Sequence, residues 1–529
     1  MANTYPGVYV FETPSTVHTI MAVPTAVAAF VGRARRGPVN TPVRIGSFGD
    51  FERAFGPLWT QSELGYAVSQ YFLNGGADAY VVRAVDGALA ASFALNPPSI
   101  TVPQTMGPGI VFQAQSPGSW FADVKIGVDL NTRKVGGVTL PDEFNVQVQL
   151  TEIDPVTLTG KVTTETFRNV SYDNTSSQYV QTVINADSNL VRIGTAVTAG
   201  APVANTYSYT GPTISDGTLL APGDLVPSVP ASRQGVYALD GAEIFTILYL
   251  PPYSPSEAAS PDLPLSALQI SSVNSYAALN YSIVLWDPPS ATTPGTFGTW
   301  VTNIGAGSLD TYRASNSVMY YPWLDVGDVL AGNRPRKFGP SASVAGVMAR
   351  IDGVRGVWKA PAGEEARVLG VNALEHVMSN IEDGGINPLG VNAIRQFPII
   401  GTVVWGARTL DGADIQASQW KYVPIRRLAY NIEESLFRGT RWAVFEPNDE
   451  PLWAALRLNI GTFMRDLFRA GAFQGATPKD AYFVKCDGDT TTQSDRDRGI
   501  VNILVGFAPL KPAEFVVIRI SQITAGAAA

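Results

Sequence analysis

The residue types that could do chemistry are scarce in this chain. Its 529 residues include two histidines, His18 and His376, and one cysteine, Cys486. That rules out an intramolecular disulfide framework, a cysteine-based zinc cluster and a His-rich metal site. The sequence has no GxxxxGK[ST], GxGxxG or HExxH stretch, so phosphate cradling and zincin chemistry have no support. Ser418 and Lys421 fit SxxK, but the companion motifs of that enzyme class are missing, and a four-residue match is expected by chance. Residues 487–497 (DGDTTTQSDRD) carry four aspartates. A calcium loop of the EF-hand kind needs a mid-loop glycine and a closing glutamate. Here Arg498 takes the closing position and Arg496 further offsets the charge, which points to a solvated hairpin loop. Ser341 and Ser343 are the tempting nucleophiles of a hydrolase built on residues 236–360, but no motif joins them to either histidine.

Composition describes a folded, loop-rich, multi-domain protein. Hydrophobic residues make up 45% of the chain, enough to bury a sizeable core, and its 50 glycines and 38 prolines stay well below a low-complexity share. Net charge is −8 and unevenly spread. Residues 87–330 hold 8 basic against 19 acidic groups, a poor nucleic-acid surface, whereas 331–529 hold 23 against 20. Any anionic partner is therefore expected at the C-terminal end. The longest apolar run, 20–32, is interrupted by Pro24 and too short to span a bilayer. Residues 1–17 lack the Lys or Arg of a signal peptide, so this run reads as a buried strand in a chain made and folded in a cytoplasm.

Periodicity then orders the elements. Residues 1–20 read as an arm in which Val8, Tyr9, Val10 and Phe11 form a short β-prone stretch (VYVFE, 8–12) between Pro6–Gly7 and Pro14. Residues 21–99 read as an α/β part of the core, with strands at 26–31 and 79–85 and a helix at 62–72 that ends on Asn74, Gly75 and Gly76. Residues 100–235, rich in Thr, Ser and Val, read as an all-β variable insertion with alternating runs at 144–150 and 162–167. Residues 236–360 alternate apolar strands (244–250, 283–286, 317–321) with helices at 265–279 and 341–351, the pattern of a partly parallel layer. Residues 361–510 mix helices (366–379, with His376 on an amphipathic face, and 450–470) with strands at 399–405, 481–485 and 501–507. Residues 511–529 form a second arm containing the strand FVVIRI at 515–520. The class is α/β and α+β multi-domain: a mixed-sheet core, a β insertion and two strand arms.

Two surfaces stand out once catalysis is set aside. Phe515, Val516, Val517, Ile518 and Ile520 would aggregate as a free edge, and Val8–Phe11 could not form a core alone, so both stretches are expected to pair with other copies' sheets. On the 450–470 helix, Leu452, Trp453, Leu456, Ile460, Phe463, Met464 and Leu467 recur at three- and four-residue steps as a buried stripe. Arg465 and Arg469 fall opposite it and Arg457 on its flank, a ridge that reads either as an ordinary solvated face or as a dock for an acidic partner.

A set of short motifs then stands in a telling order. They are PGVY (6–9), VPT (23–25), FVG (30–32), GP (37–38), FG (55–56), YFLNGG (71–76) and VVR (81–83), followed by GVWKAP (356–361), GART (406–409), YVPIRR (422–427), EPND (446–449) and PLKPAEF (509–515). Together they resemble the sheath protein of contractile phage tails and of related bacterial contractile injection systems, over about 1–120 and 236–529. SPGSW (116–120) resembles the family's lead into its variable insertion, although the residues after Trp120 depart from the usual Gly-Asn. Both halves lie on one chain, unlike the two-protein sheath of type VI secretion.

The resemblance implies a structural subunit and no enzyme. Such subunits stack as six-membered rings in a helical array around a rigid inner tube, between a baseplate and terminal cap proteins. Their arms complete a shared sheet in neighbours, and contraction drives the tube through a target envelope without nucleotide. It implies no cofactor, no direct nucleic-acid contact and no membrane insertion. Because the family sets sheath elements against the inner tube, Arg457, Arg465 and Arg469 are expected to face it, and the resemblance places the particle's assembly in a bacterial cytoplasm. Two other classes remain open from the residues alone: the hydrolase on 236–360, and a surface-binding protein using the β-rich insertion.

Overall fold

In the computed structural model, residues 18–86, 99–102, 110–153, 159–194, 202–209, 214–256, 258–293, 295–297, 300 and 308–518 are described. Val8, Tyr9, Val10, Phe11 and Ile520 therefore lie outside the described residues. The chain divides into two compact units: one comprises Thr25–Arg355 and Ala360–Val423, and the other, among described residues, comprises 18–24, 356–359 and 424–518.

The larger unit is built on an eight-stranded mixed sheet. In spatial order its strands are Val43–Ile45, Ala79–Arg83, Ala28–Gly32, Ile247–Tyr249, Ile283–Trp286, Ser317–Tyr321, Asn392–Phe397 and Gly401–Val404. The neighbours from Ala79–Arg83 to Asn392–Phe397 run parallel, and the strand at each edge is antiparallel. Ala28–Gly32, Ala79–Arg83, Ile283–Trp286 and Ser317–Tyr321 are buried at every position. That explains why they read as continuous apolar runs: helices cover both faces of the sheet. Ala29, Val31, Val82, Leu248, Val284 and Met319 meet Ile270, Val273 and Ala277 of the helix Ala267–Leu279 on one face. On the other face lie the helices Leu64–Leu73 and Ser341–Arg355. They cross at Gly346, where a Cβ would come within 2.3 Å of the Tyr71 carbonyl, so no larger residue fits.

Local chemistry sets the helix ends. Ser266 and Gln269 form a capping box at the start of Ala267–Leu279, and the helix Leu64–Leu73 stops at Asn74 and Gly75, whose φ is +111°. The sheet joins strands from three stretches of sequence, 21–99, 236–360 and 392–404.

The insertion has its own core in two antiparallel sheets. Phe144, Val146, Val148 and Leu150 alternate inward along Glu143–Ile153, which pairs with Gly160–Ser171 and Val124–Asp129. It is β-rich but not all-β, because the helix Val180–Asp187 packs Val180 and Ile184 onto this core.

Residues 366–379 are not the helix that their apolar spacing suggests. Gly363 and Gly370 take φ of +98° and +75°, and the backbone instead bonds the neighbouring strands. Val404 donates to Ala366 and Val368 to Thr402, while Asn372 and Glu375 donate to Asp325 and Trp323. His376 consequently sits in a loop, its Nε2 3.1 Å from Glu382 Oε1.

The smaller unit packs Ile20 and Val357 with Leu428 and Ile432 of the helix Val423–Gly439, and with Ile460, Phe463 and Met464 of the helix Glu450–Arg469. A two-stranded antiparallel sheet, Tyr482–Lys485 with Leu504–Phe507, completes it.

Candidate assembly surfaces

The crevice where an open α/β sheet usually holds a ligand lies beyond the carboxyl ends of the strands, where the strand order reverses. Here that place is between Ala28–Gly32 and Ile247–Tyr249, and it is filled. Arg33, Leu64, Pro251, Tyr253 and Ser254 close on a cavity of about 20 Å³, the space of one water. Beside it is a buried ionic cluster. Arg336 pairs with Glu63 at 2.5 Å and with Asp328 at 3.0 Å, and Tyr66 donates to Asp328 at 2.9 Å. Burial pushes the Glu63 carboxyl up to about 7 despite Arg336. Ser341 and Ser343 are sealed in the core: Ser341 N–H donates to Asp287, and Ser343 Oγ donates to Gln70 on the facing helix. The histidines have other partners: His376 Nε2 lies 3.1 Å from Glu382 Oε1, and His18 stacks on Trp442 in the smaller unit, ring centroids 4.2 Å apart.

Several residues that carried the motif resemblance are buried connectors. Arg83, 1% exposed, donates to the carbonyls of Ala34, Gly37 and Pro117, binding the GP turn to the segment leading into the insertion. Burial lowers its guanidinium to about 10. Arg408, equally buried, donates to Asn387 O and pairs with Asp414 at 3.0 Å, while Asn392 ties its backbone to that of Met319. Val357 of GVWKAP lies in the smaller unit's core.

The loop at 487–497 lies between the two strands of the smaller unit's sheet and is half helical. Thr492 and Asp495 form a capping box for Gln493–Asp497, so one aspartate serves as a cap, and Lys485 pairs with Asp489 at 2.9 Å. Among the described residues no group of three or more His, Cys, Asp or Glu could hold a metal ion.

On Glu450–Arg469 the predicted stripe is buried at all seven positions. Asp449 caps the helix by accepting from Glu450 N–H, and Pro451 occupies its first turn, where a missing N–H costs nothing. Asn459, 3% exposed, joins the buried face, and its side-chain amide has no hydrogen-bond partner. The arginine ridge divides. Arg465 and Arg469 are exposed, but Arg457 is half-buried, bonded to Glu450 Oε1 at 2.5 Å and to the Cys486 carbonyl. It braces its own unit and offers little charge to a partner.

Both described ends of the chain enter this unit. Val23 N–H donates to Ser435 Oγ at 3.0 Å, Asn431 donates to Val23 O at 2.9 Å, and Ile20 lies against Gly439, where a Cβ would clash. Periodicity did not reveal this seat of Ile20; the available signal was Gly439 on the last turn of an apolar-faced helix, an opening for a side chain. At the other end, Phe515, Val516, Val517 and Ile518 are 74–81% exposed and lie in no strand or helix. A sheet of two strands is marginal by itself and has two open edges.

Comparison with known proteins gives this geometry a setting. Residues 416–523 match the phage tail sheath C-terminal domain. Over 490 residues the chain is 24% identical to the tail sheath protein of Burkholderia phage BcepMu, covering 90% of this chain and 88% of that one. Its fold is similar to the sheath of an extracellular contractile injection system (PVC) in the contracted state, with a TM-score of 0.57, 21% identity and coverage of 99% and 98%. It is also similar to the contracted helical sheath of the anti-feeding prophage, with a TM-score of 0.55, 22% identity and coverage of 98% and 100%. Among the described residues no helix is long and apolar enough to cross a membrane.

Proposed function

We propose that this chain, which has the fold and the C-terminal domain of contractile tail sheath proteins, is a structural sheath subunit that polymerises as six-membered rings around an inner tube and contracts to drive that tube. The observation that carries the reading is that one unit holds both four exposed apolar residues, Phe515–Ile518, that lie in no strand and a sheet of two strands. A strand given to a neighbour satisfies both. Val8–Phe11 act in the same way from the anchored root at Ile20. The plugged crevice at the switch point and the sealed Ser341 and Ser343 favour this over a hydrolase. Contraction then repacks subunit contacts that have two stable arrangements, and the donated strands keep neighbours linked.

Arg465 and Arg469 face the tube in this reading, each worth about 0.2–1 kcal/mol, weak singly and summed over many copies. Electron microscopy of the purified protein tests the core claim: hollow tubes are expected, and a protein monomeric at all concentrations refutes it. Reversing Arg465 and Arg469 to Glu should leave sheath-only tubes intact and stop co-assembly with tube protein. Normal sheathed tubes would return the ridge to a solvated face.

A further inference from the structure

One strand along from the filled crevice, the larger unit holds a second cavity. Leu250 and Asp287, which follow the neighbouring parallel strands Ile247–Tyr249 and Ile283–Trp286, both line it. It therefore lies beyond the carboxyl ends of those strands, the side on which open α/β sheets hold ligands. Its volume is about 50 Å³, room for about three or four waters. The rings of Trp286, Tyr312 and Trp323 form much of the wall, with Leu263, Leu265 and Pro289 beside them. These walls are fixed. Trp286 Nε1 donates to Asn274 Oδ1 at 3.1 Å and to Ser317 Oγ at 3.0 Å, and Trp323 Nε1 donates to Pro288 O at 2.9 Å. Both indoles thus have their N–H satisfied by the fold. Trp286 and Tyr312 meet edge to face, ring centroids 5.3 Å apart.

The charge of this cavity is negative and uncompensated. From Gln234 to Tyr312, the stretch that supplies every lining residue except Trp323, the sequence has six acidic residues and no Lys, Arg or His. Asp262 Oδ1 accepts from Ser290 N–H at 2.7 Å, while Oδ2 has no hydrogen bond or ion pair among the described residues. Tyr312 stands beside that carboxylate: burial, and then the Asp262 charge, push its phenol up to about 12. Its hydroxyl has no hydrogen bond among the described residues, although its backbone carbonyl accepts from Asn274. Asp287 is already committed, with Tyr249 OH donating to Oδ2 at 2.5 Å and Ser341 N–H to Oδ1 at 3.1 Å. The bases nearest in sequence and register are engaged elsewhere. Arg313 bonds Asp310 at 2.6 Å and the carbonyls of Leu389 and Leu410, and Lys337 pairs with Glu375.

We propose that this cavity binds a primary alkylammonium ion, the charged end of a small amine or of a lysine side chain. Asp262 Oδ2 accepts one of its N–H groups and the Tyr312 hydroxyl a second, and the indole rings stabilise the remaining charge, tryptophan being the best aromatic partner of a cation. Leu263, Leu265 and Pro289 suit the methylenes that follow. A metal ion does not fit, because ring carbons and prolines offer no ligands, and among the described residues no group of three or more His, Cys, Asp or Glu could hold one. A quaternary ammonium has no N–H for Asp262, and an alcohol brings no charge. The site needs only the fold of the larger unit and is independent of the sheath reading.

Titration calorimetry on the full chain, at pH 7.5 and fixed ionic strength, tests the site with n-butylammonium and 1,4-diaminobutane as probes. One saturable site per chain is expected, with 1-butanol and tetramethylammonium binding at least tenfold more weakly. Asp262→Asn keeps the oxygen that accepts from Ser290 N–H and loses the charge. It should melt within about 2 °C of the parent and bind butylammonium at least tenfold more weakly. Tyr312→Phe removes a hydroxyl that the fold does not use, so it should melt like the parent and bind at least threefold more weakly; it tests the site even where the Asp262 variant fails to fold. Nα-acetyl-lysine methylamide separates the two sources. Tighter binding than diaminobutane assigns the cavity to a lysine side chain and weaker binding to a free amine, and either supports the site. No saturable amine binding by the parent, tetramethylammonium bound as tightly as butylammonium, or undiminished binding by the two variants overturns it.

Discussion

Removing residues 515–529 separates a strand kept for the chain itself from one given away. Phe515, Val516, Val517 and Ile518 are 74–81% exposed, so the isolated subunit gains almost nothing from them. Full burial of such side chains is worth about 1.5–3 kcal/mol each, and covering the exposed three-quarters of four of them gives roughly 6 kcal/mol per link. Ordering the backbone costs about 1–2 kcal/mol per residue, partly offset by ladder hydrogen bonds of about 1 kcal/mol each. A net 3–4 kcal/mol per link is left, which is about 10²–10³ in the association constant. The truncated protein should therefore melt within about 2 °C of the full chain by calorimetry. Its critical concentration for tubes, read by sedimentation, should rise at least a hundredfold. A melting midpoint lowered by 5 °C or more would show that the strand belongs to its own subunit's core. An unchanged critical concentration would show that it links nothing.

Two further outcomes follow from buried polar groups. The Glu63 carboxyl, raised to about 7 from an ordinary 4.5, keeps its proton in the fold at pH values where the unfolded chain has lost it. Stability should thus fall as pH climbs through that window, by roughly 3 kcal/mol in full; Glu63→Gln should flatten the urea midpoint between pH 5 and 7.5, and an unchanged slope would show that the group is not protonated in the fold. Asn459 leaves both polar atoms of its amide without partners in the smaller unit, so Asn459→Leu should stabilise the subunit by about 1–3 kcal/mol in chemical denaturation. A loss of stability would show that the amide is satisfied.

Much of the scaffold was legible because its signals are local. Ile283–Trp286 and Ser317–Tyr321 read correctly to the residue, as continuous apolar runs do when both sheet faces are covered. The stripe on Glu450–Arg469 was legible at every position, since helical spacing alone decides it. The helix expected at 366–379 failed for the opposite reason: its apolar spacing is real, but glycines at positive φ and bonds to distant strands override it. The loss of Arg457 from the ridge was only half legible: Glu450 stands seven residues before it on the same helix, but its other partner is a carbonyl 29 residues away. Ile20 and its seat at Gly439 are 419 positions apart in sequence, beyond any periodicity.

Both described ends of the chain belong to the smaller unit, and the larger one is threaded between them. The polypeptide leaves that unit after Pro24, returns briefly for Gly356–Lys359, and re-enters for good at Pro424. Within a single copy, then, a pull applied at one end and resisted at the other can pass through packing in the smaller unit: Val23 is bonded to the helix Val423–Gly439, and Ile20 sits in the same core as Phe473 and Ala481. The eight-stranded sheet and its β-rich insertion belong to the other unit. Such wiring works as a net whose knots are small and whose weights are interchangeable. The body, about 395 residues in Thr25–Arg355 and Ala360–Val423, could be lengthened, recharged or redecorated without altering that packing.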